Sequence, residues 1–309
     1  MSRFDFNEMS GLNVAGDCAV EIVGYLSWYS IGMKLLSREL LRKYLVISGV
    51  DNQFMPNEIR VSDAFRRATK AIECKRKGRE GSLYEYKVEE IVSSKEKIQR
   101  HIVRKFIDSK NEELLFDTKE AILILNKEKN GSGILQVSMV NEEVQDLVQQ
   151  ATELFHLFQS AHDDNAIRAM CVSIIRSMSP VLVKASGGVY FVPAKYEMNL
   201  RAFTEFVNLL EGSEAQMIPL IKTKDTVNLV KNSTLKQLED TFERLNQAND
   251  NDKLTAADIT ELIEKTELSF QIVEDYQEMF REELAAFSLV SLKQDFENLK
   301  KRKKDRKRS

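Results

Sequence analysis

A short segment near the middle of the chain has the composition of a β-hairpin. In VLVKASGGVYFVP, residues 181–193, two runs of β-branched, aliphatic and aromatic residues flank a small polar turn. Such residues favour strands, and the adjacent Gly187 and Gly188 supply the positive φ angles that a tight chain reversal requires. The segment therefore predicts two antiparallel strands. A chain that sets them among helical segments belongs to the α+β class.

Helical patterns surround this hairpin on both sides. Apolar residues recur at helical spacing over 19–80, 141–178, 197–211 and 222–290. In the first of these segments the spacing predicts two helices that break near residues 30–32. We therefore expect an α+β fold that is mainly helical.

Residues 81–140 have a different pattern, in which short β-rich runs are separated by Lys, Asn, Gly and Ser clusters. This pattern predicts about four antiparallel strands in a small sheet. The segment QRHIVRKFID, residues 99–108, is also compatible with a short helix because neither side of its alternation is purely polar.

The pattern predicts a succession of segments along the chain. They are a flexible N-terminus (1–16), a helical region (17–80), an antiparallel β region (81–140), a helix-helix-hairpin-helix unit (141–221), a long helical hairpin or coiled coil (222–299) and a basic disordered tail (300–309).

The second helix of the C-terminal hairpin has a 4-3 alternation of apolar residues, which is typical of a coiled coil. A short polar loop predicts that its two helices run antiparallel. Additional residues make the apolar face wider than a two-stranded seam: Leu262, Ile272, Tyr276 and Met279. The hairpin should therefore pack on the body of the protein or on a second copy, and these residues are the candidate partner or oligomer surface.

The charge of the chain is unevenly distributed. Of its 45 basic and 48 acidic side chains, eight basic and one acidic lie in KKRKKDRKR, residues 300–308, which leaves 37 basic against 47 acidic elsewhere. The body of the protein is therefore acidic and its C-terminus strongly basic. Such charge runs are typically disordered and often contact nucleic acid, an anionic membrane or an acidic protein surface. A solvated end that balances the acidic body is the alternative interpretation.

The order helix, helix, hairpin, helix over 141–221 is also the order of the recognition elements in a winged-helix unit. In that interpretation Arg168 and Arg176 face a nucleic-acid groove, while Lys184 and the glycine tip contact the backbone. The basic tail adds further candidate contacts: Lys300, Lys301, Arg302, Lys303, Lys304, Arg306, Lys307 and Arg308. The alternative is that the helix and the hairpin are ordinary packing elements of an α+β domain.

Motifs that would indicate catalysis are missing. The sequence has no GxxxxGK[ST] phosphate loop, no GxSxG or HExxH motif, and its three cysteines and three histidines lack metal-site spacing. We therefore expect no enzymatic activity, no cofactor and no bound metal. The apolar runs are far shorter than the stretch of about 20 residues that spans a membrane. With no recognisable leader sequence, these features predict a cytoplasmic protein.

A resemblance adds a biological setting. The segments SRELLRKYL and PNEIRVSDAFRRATK, together with GGVYFVP, resemble a family of uncharacterised proteins encoded by bacteria, archaea and their phages and plasmids. DAFRRA and GGVYFVP are the distinctive stretches. The resemblance implies a mobile element in a prokaryotic host, and it supplies no activity or catalytic residue.

Three hypotheses of function follow. The first is a non-enzymatic phage or mobile-element protein that associates with nucleic acid through the winged-helix-like hairpin unit and the basic tail. The second is a protein-interaction or assembly factor that engages a second copy, or a host or defence complex, through the C-terminal helical hairpin. The third is an enzyme of a type that leaves no recognised motif. We favour the first, because it alone uses the hairpin and the tail together.

Overall fold

The structure, a computed structural model, describes residues 21–77, 83–107, 113–139, 141–184, 187–250, 254–284 and 289–306. The chain divides into two compact units. Unit 1 contains the described residues within Met1–Met33, Tyr44–Phe54 and Arg168–Ser309, and unit 2 those within Lys34–Lys43 and Met55–Ile167. Both units are therefore discontinuous in sequence, which differs from the succession of segments that the sequence predicted.

Helices and strands are interspersed along the chain. The strands are β1 (Ile22–Ser30), β2 (Leu35–Ser37), β3 (Cys74–Lys77), β4 (Leu83–Ser93), β5 (Lys97–Ile107), β6 (Glu113–Lys127), β7 (Gly133–Met139), β8 (Ala161–Asp163), β9 (Val181–Lys184), β10 (Val189–Pro193) and β11 (Glu214–Ile221). The helices are α1 (Arg38–Ser48), α2 (Val61–Ala71), α3 (Gln145–Ser160), α4 (Asp164–Arg176), α5 (Glu197–Leu209), α6 (Lys224–Asp250), α7 (Ala256–Tyr276), α8 (Arg281–Leu284) and α9 (Leu289–Arg306). The fold is mixed α and β with antiparallel sheets, so the expectation of a mainly helical chain is not confirmed.

The first apolar segment of the chain folds as a strand, so the helix predicted there is wrong. β1 lies inside a four-stranded sheet of unit 1, whose order is β11-β1-β10-β9. Val23, Tyr25 and Ser27 are buried on one face of β1, and Leu26 and Trp28 are half-buried on the other. Because both faces are covered, the strand lacks the simple alternation that identifies a surface strand in a sequence. The helix predicted to follow it is confirmed as α1.

The predicted hairpin is confirmed as β9 and β10, with φ of +118° at Gly187 and +63° at Gly188. β10 also pairs with β1, so the hairpin forms one edge of the four-stranded sheet. A winged-helix unit is therefore not confirmed, because the hairpin is not a free two-stranded wing. A Cβ atom at Gly24 of β1 would lie 2.4 Å from the carbonyl oxygen of Val192, so this close approach requires glycine.

The C-terminal helices form one helical layer of unit 1, and α5 packs against the same sheet through β1, β10 and β11. α6 and α7 pack together as the predicted helical hairpin, and α9 packs against both. Thr255 and Asp258 form the capping box at the start of α7. The ring of Phe191 on β10 lies 6.0 Å from the ring of Tyr276 on α7, in the buried core of the unit. The helical hairpin thus packs on the body of its own chain.

The described part of the basic tail is helical, so the disorder predicted from residue 300 onward is wrong as far as Arg306. The side chains of Leu292, Phe296 and Leu299 bury one side of α9 in the core of unit 1. Cations in the last turns of a helix also interact favourably with its dipole. Residues 307–309 and the predicted flexible N-terminus, 1–16, lie outside the described residues.

Unit 2 is built on an antiparallel meander of five strands in the order β3-β4-β5-β6-β7. The β-rich segment that the sequence predicts thus forms this sheet, and the segment that was compatible with a short helix is strand β5. α2 and α3 contribute Phe65 and Phe155 to the same core, with ring centroids 6.0 Å apart. A separate pair of short strands, β2 and β8, completes the unit.

Replacement of Gly188 by valine is expected to destabilise the hairpin by about 1–2 kcal/mol, because positive φ brings the Cβ atom of an L-residue against the following carbonyl oxygen. A Cβ atom at Gly188 would meet no other atom within 4 Å, so the substitution isolates the backbone effect. Asparagine tolerates this region and serves as the matched control. Urea denaturation compares Gly188→Val with Gly188→Asn; equal midpoints would contradict the requirement for positive φ.

Candidate nucleic-acid interface

Both arginines that were predicted to face a groove are engaged within unit 1. Arg168 on α4 donates a hydrogen bond from Nη2 to the carbonyl oxygen of Ile31. Arg176, in the last turn of the same helix, forms an ion pair of 2.8 Å with Glu264 on α7. These contacts hold α4 to its neighbours in the unit. A phosphate group would therefore compete with an existing partner at each of the two arginines.

Lys184 lies at the end of β9, the edge strand of the sheet, and its side chain is exposed. Its ammonium group forms no hydrogen bond or ion pair with any residue that the structure describes. Lysine on an edge strand also discourages pairing with a strand of another protein. Lys184 is therefore available to an anion, and protection of the sheet edge is its alternative role.

The basic end of α9, residues 300–306, contains both engaged and unengaged cations. Lys300 forms an ion pair of 3.1 Å with Glu267, and its Nζ lies 4.1 Å from the centroid of the Phe296 ring. Arg302 donates a hydrogen bond to the carbonyl oxygen of Ala248 on α6. These two residues therefore fasten the basic end of α9 to the rest of unit 1.

The lysines between and after them are not engaged in this way. Lys301 and Lys304 are exposed and Lys303 is half-buried. None of the three side chains has a hydrogen bond or ion pair within the described parts of the chain. Residues three apart on a helix are surface neighbours, so Lys301 and Lys304 lie close together. The side chain of Arg306, and all of Lys307 and Arg308, lie outside what the structure describes.

The residues predicted as a partner surface lie in the core of unit 1. Leu262, Ile272 and Tyr276 are buried, and Met279 is half-buried against the same cluster. The hydroxyl group of Tyr276 donates a hydrogen bond of 3.0 Å to the carbonyl oxygen of Ser179, and burial raises its pKa well above the usual value. The extra width of the apolar face is therefore used for packing against the sheet and the neighbouring helices of the same chain.

A polar cluster beside Tyr276 was not predicted. The carboxylate of Asp275 on α7 accepts hydrogen bonds from the hydroxyl groups of Ser179 and Tyr196, the latter at 2.7 Å, and forms an ion pair with Lys195. Burial alone raises the pKa of this carboxyl group, but the hydrogen bonds and the charge of Lys195 outweigh burial, so its pKa is lowered. The partners lie 79–96 residues from Asp275 in sequence, so no local motif indicates the cluster.

This cluster combines residue types that serve nucleophilic and acid–base catalysis, but its geometry is that of a structural contact. Ser179 is fully buried and has a φ of +48°, which is uncommon for a residue with a side chain. Its hydroxyl group points to Asp275 and is shielded from solvent. The cluster therefore fastens α7 to the segments on either side of the hairpin.

Other site types find less support in the described residues. Within them, no three His, Cys, Asp or Glu side chains come together in a way that could hold a metal ion. None of the described helices is long and apolar enough to cross a membrane.

Comparison with known proteins identifies a family for the chain. A model of the family of unknown function DUF6744 matches residues 22–305, so the protein belongs to this family. No significant match was found among curated proteins or among solved structures.

Proposed function

We propose that this member of the DUF6744 family is a non-enzymatic protein that associates with nucleic acid through the basic end of α9. The observation that supports this proposal is the position of Lys301, Lys303 and Lys304. They lie on a helix that is fastened to unit 1, and no carboxylate among the described residues neutralises them.

Electrostatics favours a local contact with phosphate groups. Lysine side chains that neutralise phosphates release counterions from the nucleic acid, and this release drives salt-dependent binding. The whole protein has 45 basic and 48 acidic side chains, of which 37 basic and 47 acidic lie outside residues 300–308. This net negative charge of the rest of the chain repels a polyanion. Lys184 at the hairpin is a second candidate contact, as in the winged-helix-like interpretation.

The biological setting that we propose is a phage or other mobile element in the cytoplasm of a prokaryotic host. It is supported by the resemblance of DAFRRA and GGVYFVP to proteins of such elements. The alternative function is an assembly factor that binds a second copy, or a host or defence protein, through the outer face of the α6–α7 hairpin.

Charge reversal of the three unengaged lysines, Lys301→Glu with Lys303→Glu and Lys304→Glu, is expected to weaken binding to nucleic acid by at least about tenfold at low salt. If all three contact phosphates, the slope of log K against log salt concentration should fall by roughly 2–3 for duplex DNA. Fluorescence anisotropy across a salt series, with single- and double-stranded DNA and RNA, measures both quantities.

A matched control changes the same net charge elsewhere. The side chains of Lys129, Lys224 and Lys236 are also exposed and without a partner in the described regions. Their replacement by glutamate therefore separates the effect of the position of the charges from the effect of net charge. An equal loss of affinity for nucleic acid in the control variant would show that net charge alone governs binding. Unchanged binding in the α9 variant would overturn the proposal, and light scattering of the purified protein would then test the assembly alternative.

A further inference from the structure

Unit 2 contains a cleft of about 740 Å³ between α2, α3 and the strands β2 and β5. This volume lies within the range of about 300–1,000 Å³ that is usual for small-molecule sites. All of its lining residues belong to unit 2. The cleft is thus separate from the basic end of α9, which belongs to unit 1.

The wall of this cleft is strongly basic. Its charged lining consists of Lys34, Arg66, Arg67, Lys70 and Arg100, against a single carboxylate, Asp163. Three other carboxylates pair with these cations without lining the cleft: Asp63, Glu73 and Glu90. The five cations therefore line the cleft, whereas three of the four carboxylates that pair with them do not.

Two of the arginines are held in place by their partners. Arg66 donates hydrogen bonds to Glu90 and to the hydroxyl group of Ser93. Arg100 donates to the same carboxylate, and its Nη1 donates to Thr69 at 2.8 Å. The hydrogen bonds from Arg66 and Arg100 lower the pKa of Glu90, which is consistent with a persistently ionised partner. These arginines supply fixed positive charge but have few N–H groups left for a ligand.

The remaining cations retain donors. Lys34 is exposed and its ammonium group has no partner among the described residues. Lys70 forms one ion pair, of 2.5 Å, with Glu73, although a lysine ammonium has three N–H groups. Arg67 contacts Asp163 through Nη2 at 3.3 Å. Lys34, Lys70 and Arg67 are therefore able to donate to an anion in the cleft.

An apolar wall stands beside these donors. Leu35, Leu154 and Leu157 line the cleft, and the side chain of Leu157 is among the exposed large apolar residues of the chain. The guanidinium group of Arg67 lies over the ring of Phe158, 4.4 Å from its centroid. Planar guanidinium groups stack on aromatic ring systems, including nucleic-acid bases. The wall thus offers an apolar contact and a flat stacking surface next to the cations.

We propose that this cleft binds a small organic phosphate with a planar aromatic group, of the nucleotide class. Lys34 and Lys70 bind the phosphates, and the aromatic group lies against Arg67, Phe158 and Leu157. A free inorganic anion would leave the apolar wall uncovered, and an uncharged aromatic compound would leave the cations unused. This site is independent of the proposed contact between α9 and nucleic acid.

Isothermal titration calorimetry of the full chain with ATP, adenosine and inorganic tripolyphosphate tests the proposal. We expect ATP to bind at least about tenfold more tightly than either fragment, since each fragment loses one of the two sets of contacts. Binding of ATP should persist in the variant with Lys301, Lys303 and Lys304 reversed, which distinguishes the cleft from the basic end of α9. Tripolyphosphate binding as tightly as ATP, or no ATP binding, would overturn the proposal.

Variants locate the site. Lys34→Glu should weaken ATP binding by about tenfold or more, since it replaces a charged donor by a like charge. Lys95→Glu, at an exposed turn of the same unit, is the charge-matched control and should bind as the parent does. Leu157→Ser should weaken ATP binding but leave the weaker tripolyphosphate binding unchanged. Circular dichroism verifies that each variant is folded. Equal ATP affinity of Lys34→Glu and the parent protein would contradict the placement.

Discussion

Phe191→Ala is expected to lower the free energy of unfolding of unit 1 by about 4 kcal/mol, the largest effect that we predict for a single substitution. The side chain of Phe191 is fully buried and belongs to the hydrophobic core of unit 1. It lies on β10, an inner strand of the sheet. Its ring lies 6.0 Å from that of Tyr276, and a Cβ atom at Gly24 would lie only 2.5 Å from the same ring. Removal of the ring leaves a cavity where the hairpin, β1 and α7 meet.

Leu182→Ala is the control for this prediction. Leu182 lies on the other strand of the same hairpin and is 37% exposed, so its truncation removes little buried surface. We expect a loss of less than about 1 kcal/mol, as for most substitutions at exposed sites. Urea denaturation followed by circular dichroism measures both variants. Similar losses for Phe191→Ala and Leu182→Ala would show that the hairpin is not anchored through its buried face.

Elements with local signals could be predicted from the sequence. The hairpin has adjacent glycines between two β-rich runs, and the observed φ angles of Gly187 and Gly188 match the turn that these residues favour. The helix pair at the C-terminus has the Thr255–Asp258 capping box and a regular apolar stripe. In each case the signal lies within about ten residues of the element that it specifies.

Elements that depend on distant pairing could not be predicted in this way. β1 pairs with β11, and the hydroxyl group of Ser27 donates to the backbone of Gln216, 189 residues away. Helical and strand periodicities are both weak in a strand that is covered on both faces. The prediction of a disordered basic tail was wrong for a related reason. Phe296 and Leu299 pack in the core of unit 1, and α9 therefore extends into a segment whose charge alone predicts disorder.

The candidate sites also combine features that the sequence shows locally with features that depend on contacts between distant residues. The charge of the basic end of α9 is plain in the sequence, but the sequence does not show which lysines lack a partner. The cleft of unit 2 was missed because its cations come from Lys34, Lys70 and Arg100, on elements that are separated along the chain. Each of these residues alone is an ordinary surface cation. The pairing of β2 with β8, the packing of α2 on α3 and the hydrogen bonds from Arg100 on β5 to α2 bring them together.

Asp275→Ala is expected to lower the free energy of unfolding of unit 1 by about 3 kcal/mol, because hydrogen bonds to a charged group are worth about 1.5–3 kcal/mol and buried donors are left unsatisfied. The side chain of Asp275 is 10% exposed and joins Ser179, Lys195 and Tyr196. Its removal leaves the hydroxyl group of Ser179 without its acceptor in a buried position. Asp240→Ala, on the exposed face of α6, is the control and should have little effect.

The lowered pKa of Asp275 makes the stability of unit 1 depend on pH, and thermodynamic linkage gives the sign of this dependence. The folded protein holds this carboxyl group ionised to lower pH than the unfolded chain does, so the unfolded chain binds the proton first as the pH falls. The contribution of Asp275 is therefore complete above about pH 4–5 and is lost as the pH falls through the folded pKa. Asp275→Asn should be less stable than the parent protein at pH 7 and should lose less stability between about pH 5 and pH 3. Urea denaturation across this range measures how far the unfolding free energies of the two proteins approach each other as the pH falls. A constant difference between them would show that the ionised carboxylate does not hold the cluster together.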